Sequence, residues 1–71
     1  MTKKQQEVFI AIGKNIRRIR KEAEMTQVGL GKKTGINHSD LSRIENGQKN
    51  VELVTIIKIA EALGIELKEL F

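Results

Sequence analysis

Cysteine, proline, tryptophan and tyrosine are all absent from these 71 residues, and histidine occurs once. Without cysteine the chain forms neither disulfides nor thiolate metal sites. A lone histidine, His38, does not make a zinc site, so no metal and no cofactor is expected. There is also no Gly-Ser nucleophile turn and no clustered carboxylate pair. These absences argue against an enzyme.

Long apolar runs are missing too. No stretch approaches the ~20 apolar residues of a membrane span. The first residues, MTKKQQEVFIAIGKN, contain a short apolar run but no small-residue cleavage site after it. We therefore expect a mature chain in the cytoplasm, with no membrane partner.

Glycine-rich sequence occurs at GLGKKTG, residues 29–35, and raises the question of a phosphate-binding loop. A P-loop requires G-x-x-x-x-G-K-[ST], but Thr26 stands at its first glycine and Lys33 at its hydroxyl position. The dinucleotide pattern G-x-G-x-x-G fails because its sixth position is Thr34. No strand-like run precedes the segment, so a nucleotide site is not expected.

Charge is distributed unevenly along the chain. Residues 1–51 carry 11 Lys/Arg against 5 Asp/Glu, a net of +6, whereas residues 52–71 carry 2 against 4, a net of −2. A basic front and an acidic tail indicate that one face meets a polyanion, although ordinary solvated charge remains the alternative. A chain this small buries only about 60% of its unfolded surface, so a second copy is a reasonable source of additional core.

Apolar residues recur at helical spacing almost throughout, which predicts an all-α fold of five helices. In the first helix, Phe9, Ile12, Ile16, Ile19 and Ala23 share one face, and Gly13 weakens the helix locally. Thr26 is expected to cap a second helix near 27–33 that ends at Gly35. Asn37 is expected to start a third helix that ends near residue 45, with Asp40 reaching back to the Asn37 amide as in a capping box.

The fourth helix is predicted near residues 52–63 and the fifth within IELKELF. The predicted inward positions of the fourth helix are Leu53, Ile56, Ile57, Ala60 and Leu63. Two short helices joined by a tight glycine turn suggest a helix-turn-helix at about 26–45 within a single domain spanning 1–71. Within it, the small Gly31 would allow helices two and three to cross closely.

The segment TQVGLGKKTGINHSDLSRIENG resembles the helix-turn-helix of the lambda repressor/Cro-like family, also called the Xre family. The resemblance runs from about residue 13 to 71, and LSRIENG and KIAEALG are its most specific parts. It implies a compact five-helix bundle that binds double-stranded DNA as a dimer, with helix three in the major groove. Gly29 replaces the usual glutamate, and Val51 stands where many members carry proline. With this valine, a chain this short and no second domain expected, the sequence resembles the controller proteins of restriction-modification systems.

The polar face of helix three carries the residues expected to read bases, which are His38, Ser39, Ser42 and Arg43. Arg43 can donate two hydrogen bonds to guanine O6 and N7, and His38 and Ser39 lie in the first helical turn. The alternative is a solvated face without a ligand. Asp40 has two readings, as a helix cap or as an acceptor for cytosine N4.

Contacts to the DNA backbone are expected from the ends of these helices. Gln27 begins helix two beside its free amides, and a polar loop follows helix three. The residues assigned to this role are Gln27, Asn37, Asn46, Gln48, Lys49 and Asn50. Lys14 and Arg17 on helix one are weaker candidates, because charges there can be merely solvated.

The resemblance further implies a buried ion pair between Arg20 and Glu45. The acidic, apolar-rich segment 52–71 is unsuited to DNA and is therefore predicted to form the dimer interface. The interface residues predicted are Ile59, Ile65, Leu67 and Phe71, although Leu67 and Phe71 could instead fold back onto their own core.

Two rival functions remain open. The same fold can serve as an antitoxin-type or other protein-interaction module. A basic amphipathic first helix could lie on a membrane surface, but the specific second half of the chain argues against this. RNA polymerase is left open as a further partner.

Overall fold

The computed structural model describes residues 1–71 and contains four α-helices and no strand. They are α1 (Lys3–Glu22), α2 (Gln27–Thr34), α3 (His38–Glu45) and α4 (Leu53–Leu63), followed by a single 3-10 turn, η1 (Leu67–Leu70). The all-α fold is confirmed, but the predicted fifth helix is only this turn. None of the helices combines the length and apolar character needed to cross a membrane.

Local capping explains where the two central helices begin and end. The Thr26 hydroxyl accepts from the Gly29 amide at 2.9 Å, and the Asn37 side-chain oxygen accepts from the Asp40 amide at 2.8 Å. Between the two helices, Gly35 adopts a left-handed conformation with φ of 76°. Each cap satisfies a backbone amide that the first helical turn leaves free. The turn between α2 and α3 is therefore set by short-range chemistry.

The core draws on all five elements. Its fully buried side chains are Ile16 from α1, Leu30 from α2, Leu41 from α3, Ile59 from α4 and Leu70 from η1. The Asn15 side chain also donates to the Leu70 carbonyl at 3.0 Å, which fastens η1 to α1. This shared core fixes α3 relative to the rest of the molecule.

Two glycines allow helices to approach one another closely. A Cβ at Gly13 would collide with the carbonyl oxygens of Ile44 and Glu45, so α1 crosses directly over the end of α3. A Cβ at Gly31 would lie 2.6 Å from the Ile36 carbonyl oxygen, so the small residue expected there lets the turn before α3 pass close to α2. Gly13, which sequence alone marks only as a weak point in α1, is thus a packing requirement.

The orientation of α4 corrects the predicted inward stripe. Leu53 and Ile57 are 57% and 38% exposed, whereas Ile59 is completely buried. Assigning Ile59 to a dimer interface is therefore wrong, because its side chain lies in the protein's own core. Ile65 and Leu67 are half-buried against that core, and Phe71 is 65% exposed.

Candidate nucleic-acid interface

Helix α3 buries one side and presents the other. Leu41 and Ile44 point into the core, whereas His38, Ser39 and Arg43 are exposed. Ser42 is half-buried at the margin. The residues predicted to read bases thus share the polar side of one helix, and the apolar side anchors that helix.

A first groove lies beside α3, between the end of α1 and the start of α2. Four of the residues that the sequence predicts as DNA contacts line this groove: Gln27, His38, Ser42 and Asn46. Arg17 and Lys21 of α1 line it as well, together with the carboxylate residue Glu24. Three helices therefore contribute to one polar groove, which also carries cationic residues. Lys21 was not among the sequence-predicted site residues, because its neighbours become known only from the fold.

The Glu45 carboxylate forms part of this groove's lining. Its Oε2 accepts from Arg20 Nε at 2.7 Å, and its Oε1 accepts from Arg20 Nη2 at 3.0 Å. Gln27 Nε2 donates to the same Oε1 at 3.1 Å, and Arg20 Nη1 donates to the Met25 carbonyl at 2.8 Å. The ion pair that the resemblance implied is therefore present and also carries Gln27. This network holds the start of α2 against the end of α3.

The first turn of α2 keeps hydrogen-bond donors free. The backbone amides of Gln27 and Val28 have no partner within the chain, whereas Gly29 is capped by Thr26. Free amides at a helix start, reinforced by the helix dipole, favour an anion such as a phosphate oxygen. Gln27 is thus held in place by Glu45 while its backbone faces an open position.

A second groove lies on the other side of α3, against the loop that precedes α4. Its lining includes Asn37, Asp40, Lys49 and Asn50. Lys49 Nζ lies 3.4 Å from Asp40 Oδ1, and Asn37 Nδ2 donates to Asp40 Oδ2 at 3.3 Å. The expected capping box is not formed, because this carboxylate meets the Asn37 side chain instead of its backbone amide.

The predicted contact residues thus fall on both flanks of α3. Ser39 and Arg43 stand on its exposed surface, and Gln48 is exposed in the following loop without lining either groove. The side chains along this surface offer many donors and several positive charges. Donors of this kind suit phosphate oxygens and base edges.

Metal chemistry finds no support in the side-chain arrangement. No group of three or more His, Cys, Asp or Glu residues is placed to hold a metal ion.

Comparisons with known proteins match this chain to one family model and to several curated relatives. The model of the family described as "Helix-turn-helix" matches residues 16–70. The control protein C.MunI from Mycoplasma is 36% identical over 66 residues, which cover 92% of this chain and 89% of that protein. The antitoxin PezA from Streptococcus pneumoniae is 46% identical over 48 residues, but these cover 65% of this chain and only 30% of PezA.

A solved structure agrees with the sequence relatives. The restriction-modification controller protein C.AhdI from Aeromonas hydrophila superposes with a TM-score of 0.86 at 38% identity, covering 89% of this chain and 96% of C.AhdI. The similarity to both controller proteins extends over nearly their whole length.

Proposed function

Because this chain belongs to the helix-turn-helix family of DNA-binding transcriptional regulators, which are not enzymes, we propose that it acts as a homodimer on an inverted-repeat operator. In this proposal each subunit places α3 in a major groove. Two recognition helices related by a two-fold axis then read half-sites about 34 Å apart on one side of the duplex. We also propose that it meets this DNA in the cytoplasm.

The observation that carries the dimer is an apolar surface on α4. Leu53, Val54 and Ile57 lie on adjacent turns of one side of the helix, and all three are exposed. We call this surface the α4 patch. None of its residues lines the two grooves beside α3, so a second copy can cover it without obstructing DNA. Burying such a patch in a two-fold contact removes apolar area from water.

Phe71 is a further exposed apolar residue of the C-terminal third. It is 65% exposed and directly follows η1, whereas Ile65 before η1 and Leu67 within it are half-buried. The interface proposed here therefore keeps Phe71 and the exposed edges of Ile65 and Leu67, and replaces Ile59 by the α4 patch. The resulting dimerisation region still spans 52–71.

Base recognition is assigned to the exposed side of α3. Arg43 has the length and donors for a guanine, and His38, Ser39 and Ser42 supply the remaining polar contacts. Backbone contacts come from the flanks. The residues proposed for that role are Gln27, Asn37, Asn46, Gln48, Lys49 and Asn50. The helix-start amides of α2 add two donors beside Gln27.

The regulated genes are proposed to belong to a restriction-modification system. C.AhdI is named as a restriction-modification controller protein and C.MunI as a control protein, and this chain matches about nine tenths of each. Such control involves either blocking or assisting transcription. RNA polymerase is therefore the further partner proposed for an activating complex.

Selection of bound DNA from a random pool tests the proposal. We expect an inverted repeat, with two subunits per selected fragment. A consensus without two-fold symmetry, or one subunit per fragment, would contradict the dimeric mode. A second, different chain that co-purifies at equal stoichiometry and blocks DNA binding would favour the antitoxin-type alternative instead.

A further inference from the structure

Asp40 is a carboxylate on the side of α3 that faces the proposed DNA. The other acidic residue of α3, Glu45, is buried in its pair with Arg20. The side chain of Asp40 is 31% exposed to solvent. A negative charge in this position is repelled by phosphate, so it lowers DNA affinity unless a favourable interaction offsets the repulsion.

The contacts of Asp40 join the two kinds of DNA contact. Its Oδ1 lies 3.4 Å from Lys49 Nζ, in the loop proposed to hold the backbone. The same oxygen lies 3.8 Å from Arg43 Nη1, on the proposed base-reading side. Asn37, which caps α3, donates to its other oxygen at 3.3 Å. One carboxylate thus stands between a base-reading cation and a backbone cation.

We propose that Asp40 is a specificity-determining positioning residue that lowers affinity for random DNA more than affinity for the operator. This inference rests on the proposed sequence-specific function. Random DNA is held through phosphates alone, so Lys49 must leave Asp40 before it contributes. That exchange reduces what the lysine adds, and the remaining carboxylate repels the backbone.

On the operator the same carboxylate has a compensating effect. Asp40 lies 3.8 Å from Arg43 Nη1 without a hydrogen bond, so its charge favours guanidinium positions near α3 and leaves Nε and Nη2 available for the two acceptors of a guanine. A pre-oriented arginine loses less side-chain freedom on binding. On the operator, this effect offsets part of the affinity that Asp40 removes, whereas on random DNA nothing offsets the loss.

Asp40→Asn tests this directly, because asparagine keeps the size of the side chain and a carbonyl oxygen for Asn37. Affinities are measured by fluorescence anisotropy on the selected operator and on scrambled DNA of equal length. We expect affinity for scrambled DNA to rise roughly 3- to 10-fold, the range for an exposed ion pair plus a relieved repulsion. Affinity for the operator should change by less than about twofold, so the ratio between the two falls.

Two control variants separate position from charge. Glu7→Gln removes one negative charge from an exposed residue of α1 that makes no ion pair, and should leave the ratio unchanged. Asp40→Glu keeps the charge within reach of Lys49 and should retain most of the ratio. Unfolding temperatures establish that each variant is folded.

A double-mutant cycle with Lys49→Gln tests the pairing itself on scrambled DNA, where no operator is needed. We expect the gain from Asp40→Asn to shrink at least about threefold when Lys49 is absent, since coupled residues are not additive. Additive effects would overturn the inference by showing that Asp40 only repels.

The other contrary results are equally distinct. An equal rise on operator and scrambled DNA removes any role in specificity. A selective loss on the operator makes Asp40 a direct acceptor from a base. If the random pool yields no consensus with the wild-type protein, the proposed function fails, irrespective of the behaviour of the Asp40 variants.

Discussion

Arg20 and Glu45 form a two-pronged ion pair that is almost completely withdrawn from solvent, with contacts of 2.7 and 3.0 Å. The pair connects α1 to the end of α3, where the absence of a side chain at Gly13 lets the two helices meet. Buried ion pairs add little net stability over an apolar replacement, but a single unpaired partner is costly. The arrangement therefore fixes the position of α3 more than it stabilises the fold.

Replacing Glu45 by alanine should destabilise the protein strongly, because it leaves the buried Arg20 guanidinium without a counter-charge and with only the Met25 carbonyl to accept from it. We expect a loss of about 3–5 kcal/mol in the free energy of unfolding, measured with urea. The control is Glu22→Ala, whose partner Arg18 lies 3.2 Å away on the exposed surface of α1. That variant should lose less than about 1 kcal/mol. Equal losses would mean that burial of the Arg20 pair does not matter.

Alanine at two helical glycines should have opposite effects. Gly13→Ala places a Cβ against the carbonyl oxygens of Ile44 and Glu45, so we expect a loss of about 1–3 kcal/mol from overpacking. At Gly29 the nearest atom to a new Cβ is the Thr26 hydroxyl at 3.2 Å, a side-chain atom that needs to move by only a few tenths of an ångström and can keep its hydrogen bond from the residue 29 amide. There we expect a gain of up to about 1 kcal/mol from helix propensity. Thermal unfolding of both variants compares them, and a loss at both positions would contradict the packing difference.

Short-range features of this fold could be predicted from sequence, and the orientation of α4 could not. Thr26 and Asn37 accept from amides only a few residues away, and Gly35 supplies the left-handed turn, so their residue types are sufficient. In α4 the sequence LVTIIKIAEAL is apolar on most of its circumference. Its periodicity therefore does not identify the inner side, and only packing against Leu70 and the other elements places Ile59 inside and Leu53 outside.

The candidate site likewise combines features that the sequence predicts with features that only the tertiary structure shows. Residues on the polar side of α3 follow from helical spacing, since Leu41 and Ile44 mark the opposite side. The hydrogen bond from Gln27 to Glu45 spans 18 residues, and the contact from Lys49 to Asp40 depends on the path of a loop. Such contacts need the tertiary structure, as does the inclusion of Lys21 in the first groove.

DNA affinity should depend strongly on salt. The basic front of the chain, with a net of +6 over residues 1–51, releases counterions when it neutralises phosphates. With several phosphates contacted per subunit, we expect a fall of roughly 10³-fold or more between about 50 and 200 mM salt. Titrations at four salt concentrations give the slope, and an affinity that stays flat would contradict an electrostatic interface.

Arg43→Ala and Lys49→Ala should weaken binding in different ways. Arg43 is exposed on α3, so its loss should cost about 1–3 kcal/mol on the operator and relax the preference at one base position. Lys49 lies beside the second groove, so its loss should weaken operator and random DNA alike. Parallel selections with both variants provide the comparison. Equal effects of Arg43→Ala on both DNAs would reassign this residue to the backbone.

A charge within the α4 patch should separate the proposed dimer. Ile57 lies one turn from both Leu53 and Val54, and a glutamate there would be buried unpaired in a two-fold contact. The penalty applies once from each subunit, so we expect Ile57→Glu to weaken self-association at least ~100-fold. Sedimentation at micromolar concentration measures it. The control is Val8→Glu, which alters an exposed valine of α1 outside the patch and should leave the dimer intact.

Because Ile57 lines neither groove, the monomeric variant should still bind a single half-site weakly, with loss of cooperative binding to the inverted repeat. A wild-type protein that sediments as a monomer would remove the basis for this interface.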